Sequence, residues 1–412
     1  MPLSLLWLSV GAFAIGTEGL MIAGLIPAIA DDLGVSIPLA GHLVTIFALA
    51  YAVGSPLIAV ATGGLDRKIV LLGASLGFAL ANLVAASSSS FAALAASRVL
   101  LALCAGAFMP AASGYAASTV APELRGRALA TIYCGFTAAI VVGVPLGAVL
   151  GGRLGWRATF VGVAILTVPA ILGIAAALPR QRGVRTAGLR DRLAIARRPA
   201  VLAILLQTAL GLAGAFCVYT YLAPFLTAAA GFTGDAVAIT LAVFGVGAAA
   251  GNLLGGYASD RWDPRRVLMV VFAVLAAAFV VLSIAGQFLP AAAAAPVAVV
   301  AVGVWGLAGW GLPPAQQTRL VRLEPALAPV TLSLYSSSVY VGTSVGAALG
   351  SGVVALGSVT SIGWVGAACE LAGLVALAVS WRQCIARVRE AASAAPPPPF
   401  AAARPAAGGG VP

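Results

Sequence analysis

Charge is what this sequence has least of. Only 8% of its 412 residues are Asp, Glu, Lys or Arg, against about 25% in a soluble domain, so the chain cannot cover a water-facing surface. There is one histidine, His42, and one lysine, Lys68. A single imidazole without grouped Cys/His spacing excludes a metal centre, and no polar cluster suggests a membrane-face enzyme. The five cysteines (Cys104, Cys134, Cys217, Cys369, Cys384) show no paired spacing and read as small apolar filler. No G-x-x-x-x-G-K-[ST] segment occurs, so nucleotide hydrolysis is excluded as an energy source. No long polar loop interrupts the chain, which excludes a receptor with a sizeable soluble domain.

What the chain has is apolar length. Hydrophobic residues make up 61%, in runs long enough to cross ~30 Å of hydrocarbon as helices. Helix is required there because lipid offers no partner to a free N–H or C=O. Twelve spans are expected, at about 4–30, 39–62, 69–87, 91–119, 128–151, 158–178, 200–228, 235–258, 267–289, 291–315, 331–356 and 362–381. The net charge of +11 sits between spans, so it reads as the positive-inside bias of cytoplasmic loops rather than a nucleic-acid surface. With both termini inside, all basic residues except Arg98, Arg153 and Arg157 fall on the cytoplasmic side. Densest is the strip 179–199, with Arg180, Arg182, Arg185, Arg190, Arg192, Arg197 and Arg198. Ala28-Ile29-Ala30 mimics a signal-peptidase site, but the preceding segment has no basic residue and Glu18 interrupts it. A retained first span is expected.

The halves repeat. Arg67-Lys68 recurs as Arg265-Arg266, 198 residues on, and the ladder Gly143, Gly147, Gly151 recurs as Gly342, Gly346, Gly350, 199 residues on. Both ladders fall in the fifth span of their half. The fold class expected is all-α membrane protein: an N-terminal six-helix bundle at 1–178, a cytoplasmic basic linker at 179–199 and a C-terminal six-helix bundle at 200–382. The bundles flank a central cavity. The Pro/Ala/Gly-rich tail, 383–412, is expected to be disordered.

Few residues can carry chemistry. Glu18, in Gly16-Thr17-Glu18-Gly19, is a mid-span acid; an ionised carboxylate there costs about 2.5–3.5 kcal/mol on insertion scales, so it faces a cavity or a partner. It suits a group that takes up and releases a proton. Arg98 lies roughly 10 Å into the fourth span at 1.5 Å per residue, and its long arm could reach Glu18 or snorkel outward instead. Glu370, the other mid-span acid, is a third proton-coupling candidate, although the last helix of a bundle usually supports a cavity from behind. The loops Asp66-Arg67-Lys68 and Asp260-Arg261…Arg265-Arg266 carry acids and bases that can pair across helix ends and bias a two-state gate. Gly143, Pro145 and Gly147 combine a lost backbone hydrogen bond with a flat face for close packing. His42 reads as interfacial. Met21, Tyr133, Phe136, Gln207, Tyr219, Tyr221 and Trp305 are candidates for the cavity wall by span alone.

These residues resemble a family. Gly16-Thr17-Glu18-Gly19, Gly24-Leu25-Ile26-Pro27 and Asp32-Leu33-Gly34-Val35-Ser36 are similar to the first span and loop of the major facilitator superfamily's twelve-span drug:proton antiporters, in the branch with chloramphenicol and sugar efflux proteins. Arg98 with Gly106 resembles that family's fourth-span arginine motif, and Gly143-Val144-Pro145-Leu146-Gly147 through Gly155-Trp156-Arg157 its fifth-span antiporter motif. The resemblance covers about 4–382. One departure concerns the loop between spans 2 and 3: the family's earlier acid aligns with Gly63, and Asp66 stands where a glycine is usual. The resemblance implies a proton-driven exporter of small amphiphilic molecules, such as phenicol-type antibiotics, in a bacterial inner membrane. A sugar or metabolite exporter, or a proton symporter on the same fold, is the alternative. The partners implied are the substrate, protons and lipid, without nucleic acid or cofactor, and the chain is expected to be a monomer.

Overall fold

The computed structural model describes residues 3–121, 124–181 and 188–394, with side chains over 4–121, 124–181 and 188–381. Arg182 and Arg185 of the basic strip, and the tail beyond 394, lie outside the described residues. Among the described residues, twelve helices are long and apolar enough to cross a membrane: Leu3–Asp32, Ile37–Thr62, Arg67–Ala86, Phe91–Thr119, Arg125–Leu154, Trp156–Ala177, Pro199–Thr220, Gly234–Arg261, Pro264–Phe288, Ala291–Leu323, Ala328–Leu356 and Ile362–Ala394. They are spans 1 to 12 below. The ends carrying the basic loops form the basic end of the molecule, and the opposite ends form the far end.

Local chemistry sets the helix limits. Ser36, Asp66, Ser90 and Asp263 accept hydrogen bonds from first-turn amides of spans 2, 3, 4 and 9, which satisfies donors that have no partner within the helix. Gly155, at φ 84°, makes the tight link between spans 5 and 6, a backbone conformation that costs only glycine little. Breaks inside spans follow proline. Span 7 stops at Thr220 and resumes as Leu222–Ala230, because Pro224 cannot donate to the Thr220 carbonyl. Span 10 breaks at Trp310-Gly311, just before Pro313-Pro314. Span 12 differs from expectation, since it continues to Ala394 through part of the segment expected to be disordered. Arg382, Gln383, Ala386, Arg387, Arg389 and Glu390 are strong helix formers and extend it.

The glycine ladders explain the packing. Gly143, Gly147 and Gly151 of span 5 seat on Thr17, Met21 and Leu25 of span 1. Gly342, Gly346 and Gly350 of span 11 seat on Ala209, Ala213 and Cys217 of span 7. Both contact series advance by four residues, so each ladder forms one flat stripe facing another. The bundles meet where span 2 packs along span 11 and span 5 along span 8. A short linker helix, Leu189–Ala196, rests on span 11, with the Arg192 guanidinium donating to Ser333 Oγ. Burial pushes the Arg192 guanidinium below its usual value.

Candidate functional site: a buried ion pair beside a cleft

Span 1 carries Glu18 near its middle and span 4 carries Arg98 two turns from its start; span 2 runs between them. Both side chains are fully buried. Arg98 Nη1 donates to Glu18 Oε1, and its Nε donates to the Leu43 carbonyl at 3.3 Å. The guanidinium carbon sits 4.3 Å from the centroid of the Phe47 ring, within cation–π range. The pair is held by one contact only. Glu18 Oε2 and Arg98 Nη2 have no hydrogen-bond partner, where a fork-to-fork pair would use both. Gly19 packs beside the acid, where an added Cβ would stand in ordinary van der Waals contact with Phe47, 3.9 Å away. Protonating Glu18 would end the ion pair while Arg98 kept the Leu43 carbonyl and the Phe47 face.

Span 5 passes directly behind Glu18. Residues Ala139–Gly143 form a π turn, in which the Val144 amide bonds to the Ala139 carbonyl. Pro145 has no N–H, so the ladder is displaced at this point. Gly143 packs on Thr17 and Gly147 on Met21; on the other side, Gly245 of span 8 approaches the Ile140 carbonyl so closely that a Cβ would fall 2.5 Å from it. Span 5 thus links the acid's own helix to the second bundle.

The bundles are tied together at the far end. Tyr221 Oη donates to the Pro38 carbonyl at 3.4 Å, and Ser351 Oγ to the same oxygen at 3.1 Å. Ser351 Oγ also lies 3.2 Å from His42 Nε2, and Ser344 Oγ donates to the Thr45 carbonyl at 3.2 Å. Tyr219 Oη donates to the Leu20 carbonyl at 3.3 Å. At the rim an exposed Arg153–Asp235 pair, 3.4 Å apart, crosses between bundles. A small pocket of about 280 Å³ between Val149 and Asp235 belongs to this rim, away from Glu18.

Of the residues expected on the cavity wall, only Tyr133 and Phe136 are not buried. Tyr133 is 48% exposed, and the half-buried Phe136 ring lies 6.4 Å from Trp310 of the other bundle. The rest are sealed in this conformation. Tyr221 fills the notch left by Gly41, Met21 lies against Gly147, and Tyr219 and Trp305 join Phe244 and Phe279 in an aromatic core. Gln207 turns toward the back of its bundle, where its Oε1 accepts from Arg319 at 2.6 Å and its Nε2 donates to Ser380 Oγ at 3.0 Å. Span membership sets the depth of a residue; the helix face decides what it touches. Sequence reasoning missed Phe47 and Leu43 as the support of Arg98. It also missed Tyr51 and Tyr340, which stack across the bundles with centroids 3.7 Å apart and planes at 23°. Aromatic residues in the middle of spans 2 and 11 were the only signal.

The loop residues divide their tasks. Asp66 Oδ1 accepts from the Lys68 amide at 2.8 Å and Asp263 Oδ1 from the Arg265 amide at 2.9 Å, so both acids cap helices. Lys68 Nζ donates to the Ala175 carbonyl at 2.7 Å, Arg67 lies beside Gly114 of span 4, and Arg261 stacks on Tyr257. Asp260 and Arg266 are exposed. Glu370, on span 12, is fully buried against Gly211 and Gly214 of span 7, and neither carboxyl oxygen has a hydrogen-bond partner.

Two six-span bundles tied together at one end, with a single fully buried ion pair among the described residues, fit a membrane transporter. The chain belongs to the Major Facilitator Superfamily, whose profile matches residues 8–318 and 204–408. It is 39% identical to the chloramphenicol resistance protein of Streptomyces lividans, over 86% of this chain and 89% of that one. It is 33% identical to the inner membrane transport protein YdhP of Escherichia coli K12, again over 86% and 89%. The crystal structure of a D-xylose-proton symporter shares the fold, with a TM-score of 0.74 over 92% of this chain and 96% of that one, at 15% identity.

Proposed function

We propose that this chain is a proton-coupled secondary transporter that exports small amphiphilic molecules by alternating access. The observation that carries the reading is the Glu18–Arg98 pair, zero-exposed and held by a single contact. A buried acid whose one partner is a cation binds a proton only by giving up that partner, so proton uptake and rearrangement of spans 1, 2 and 4 are one event. Under the positive-inside rule the basic end is cytoplasmic and the far end faces outward. The closed far end then corresponds to an inward-facing carrier whose Glu18 has released its proton. Substrate enters from the cytoplasm, the far end opens, and a proton from outside reaches Glu18, ends the ion pair and favours release. Asp66, Arg67, Lys68, Asp260, Arg261, Arg265 and Arg266 line the side that must close in the second state, and we assign them to that gate. The direction, export, is supported by the antiporter-like fifth span and by the resistance protein among the relatives. The reading includes a monomer in a bacterial inner membrane with both termini cytoplasmic.

The test is substrate flux driven by a pH gradient in proteoliposomes. Glu18→Gln is expected to lose the dependence on the gradient while still exchanging substrate. Transport by that variant at the wild-type rate and pH profile would sink the coupling.

A further inference from the structure

We propose that the linker helix, Leu189–Ala196, is a surface for anionic phospholipid: Leu189 and Leu193 enter the bilayer interface, and Arg190 and Arg197 take the lipid phosphate groups. The proposal needs only that the twelve spans sit in a bilayer. It is independent of proton coupling and of the direction of transport.

One face of the helix fixes it to the protein. Its buried residues are Arg192 and Ile195. Ile195 shares a hydrophobic cluster with Val201 and Ile204 of span 7, Leu320 of span 10 and Tyr335 of span 11, and Arg192 donates to Ser333 Oγ of span 11. Just beyond the helix, Arg198 donates to Glu324 Oε1 at the end of span 10. The helix therefore belongs to the second bundle. Only Arg197 and Arg198 separate it from Pro199, where span 7 begins, so it lies where the spans leave the hydrocarbon. A second face is apolar and open. Leu189 is 43% exposed and Leu193 50%, and their spacing of four stacks them in one stripe. Arg190 and Arg197 are exposed as well. They lie about two turns apart on one flank of that stripe, at 3.6 residues per turn, and neither makes an ion pair among the described residues.

Charge selects the occupant. Asp191 is the only acid in the strip 179–199, against seven arginines, so whatever covers the stripe must bring negative charge. The first bundle does not: its basic-end segments carry Arg67, Lys68, Arg125 and Arg127, and closing them over the leucines would set like charges against each other. A leucine stripe edged by arginines suits a bilayer interface instead. The leucines insert, the apolar stems of the arginines follow, and the guanidinium groups stay at the level of the headgroups. A guanidinium also matches a phosphate group with paired donors, which a zwitterionic headgroup offers without net negative charge. Because the helix is bound to spans 7, 10 and 11, an anionic leaflet grips the second bundle and leaves the first to move against it.

The experiment is hydrogen exchange, read by mass spectrometry on the full chain in nanodiscs of phosphatidylcholine alone and of phosphatidylcholine with phosphatidylglycerol. The peptide covering Leu189–Ala196 is expected to exchange more slowly with phosphatidylglycerol, by roughly fivefold for each of the two arginines. Arg190→Gln and Arg197→Gln should each remove about fivefold of that slowing, and the double variant Leu189→Ser, Leu193→Ser should remove most of it. Thermal unfolding and unchanged exchange in span 7 check that each variant keeps its fold. Equal exchange in the two lipids overturns the proposal, as does full slowing retained in the arginine variants or in the leucine variant. Equally slow exchange in detergent without lipid also overturns it, because another part of the chain then covers the stripe. Substrate flux plays no part in the readout, so a failed coupling test leaves this result standing, and failure here leaves the transporter reading untouched.

Discussion

In the first bundle the span 5 ladder meets side chains: Thr17, Met21 and Leu25 stand opposite Gly143, Gly147 and Gly151. In the second, the span 11 ladder meets backbone: a Cβ on Gly346 would lie 2.9 Å from the Ala213 carbonyl carbon, and one on Gly350 2.7 Å from the Cys217 carbonyl oxygen. The same motif thus makes an adjustable joint in one half and a locked one in the other. The adjustable joint also carries the π turn and the Glu18–Arg98 pair; the locked one leads to the Tyr219–Phe244–Trp305–Phe279 aromatic core. Side chains can change rotamer during a cycle, whereas packed backbones move only as a unit. Under the proposed function, this contrast would place proton-linked rearrangement in the first bundle and a rigid-body role in the second.

The comparison breaks most directly at Arg98. Arg98→Ala leaves Glu18 buried without its cation, and loss of one partner of a buried pair costs about 3–5 kcal/mol. Unfolding of the purified protein should move to markedly lower temperature, and transport should be abolished. Equal damage from Glu370→Ala in the second bundle would undo the asymmetry. Next in size are the ladders. Gly346→Ala forces span 11 off span 7 and should cost about 1–3 kcal/mol as overpacking. Gly147→Ala meets only Met21, with Cβ at 3.1 Å and Sδ at 3.3 Å; both lie outside 3.0 Å, so a shift of a few tenths of an ångström accommodates the methyl and its cost should stay below ~1 kcal/mol. Thermal unfolding of the two variants side by side decides, and the reverse order would refute the joint-and-lock distinction.

A smaller effect is expected at the far end. Gly41→Ala crowds the Tyr221 hydroxyl and should shift the resting population toward an open far end by about fivefold, the equivalent of ~1 kcal/mol. Labelling of Ser351→Cys by an impermeant maleimide reads this directly, and an unchanged rate counts against Tyr221 as the plug. The smallest effect is at Glu370. Glu370→Gln is nearly isosteric at a site without hydrogen-bond partners, and transport with its pH profile should persist. A changed proton-to-substrate ratio would bring the second bundle into the coupling and narrow the contrast between halves.

Much of the architecture was legible along the chain. Apolar runs, basic loops and ladder offsets are one-dimensional signals, and each maps to a helix, a loop end or a stripe. Glu18 and Arg98 were legible for a related reason: a charged group in hydrocarbon is conspicuous wherever it points. The cavity wall was not, because Tyr133 and Tyr219 look alike as aromatics within spans, yet one lines the cleft and the other is sealed. Glu370 and Glu18 also read alike. Their difference lies in the neighbours, Arg98 for one and Gly211 and Gly214 for the other.

The sequence by itself determined that the chain crosses a membrane twelve times, that its halves repeat, and which few residues carry charge inside the spans. Those properties follow from solvation, which acts on each segment separately. Only the tertiary structure decided that Arg98 reaches Glu18 through a single contact, that the far end is the closed one, and that Tyr51 meets Tyr340 across the bundles. Those depend on which helix faces oppose each other, and that is settled by the joint packing of all twelve helices rather than by any one of them.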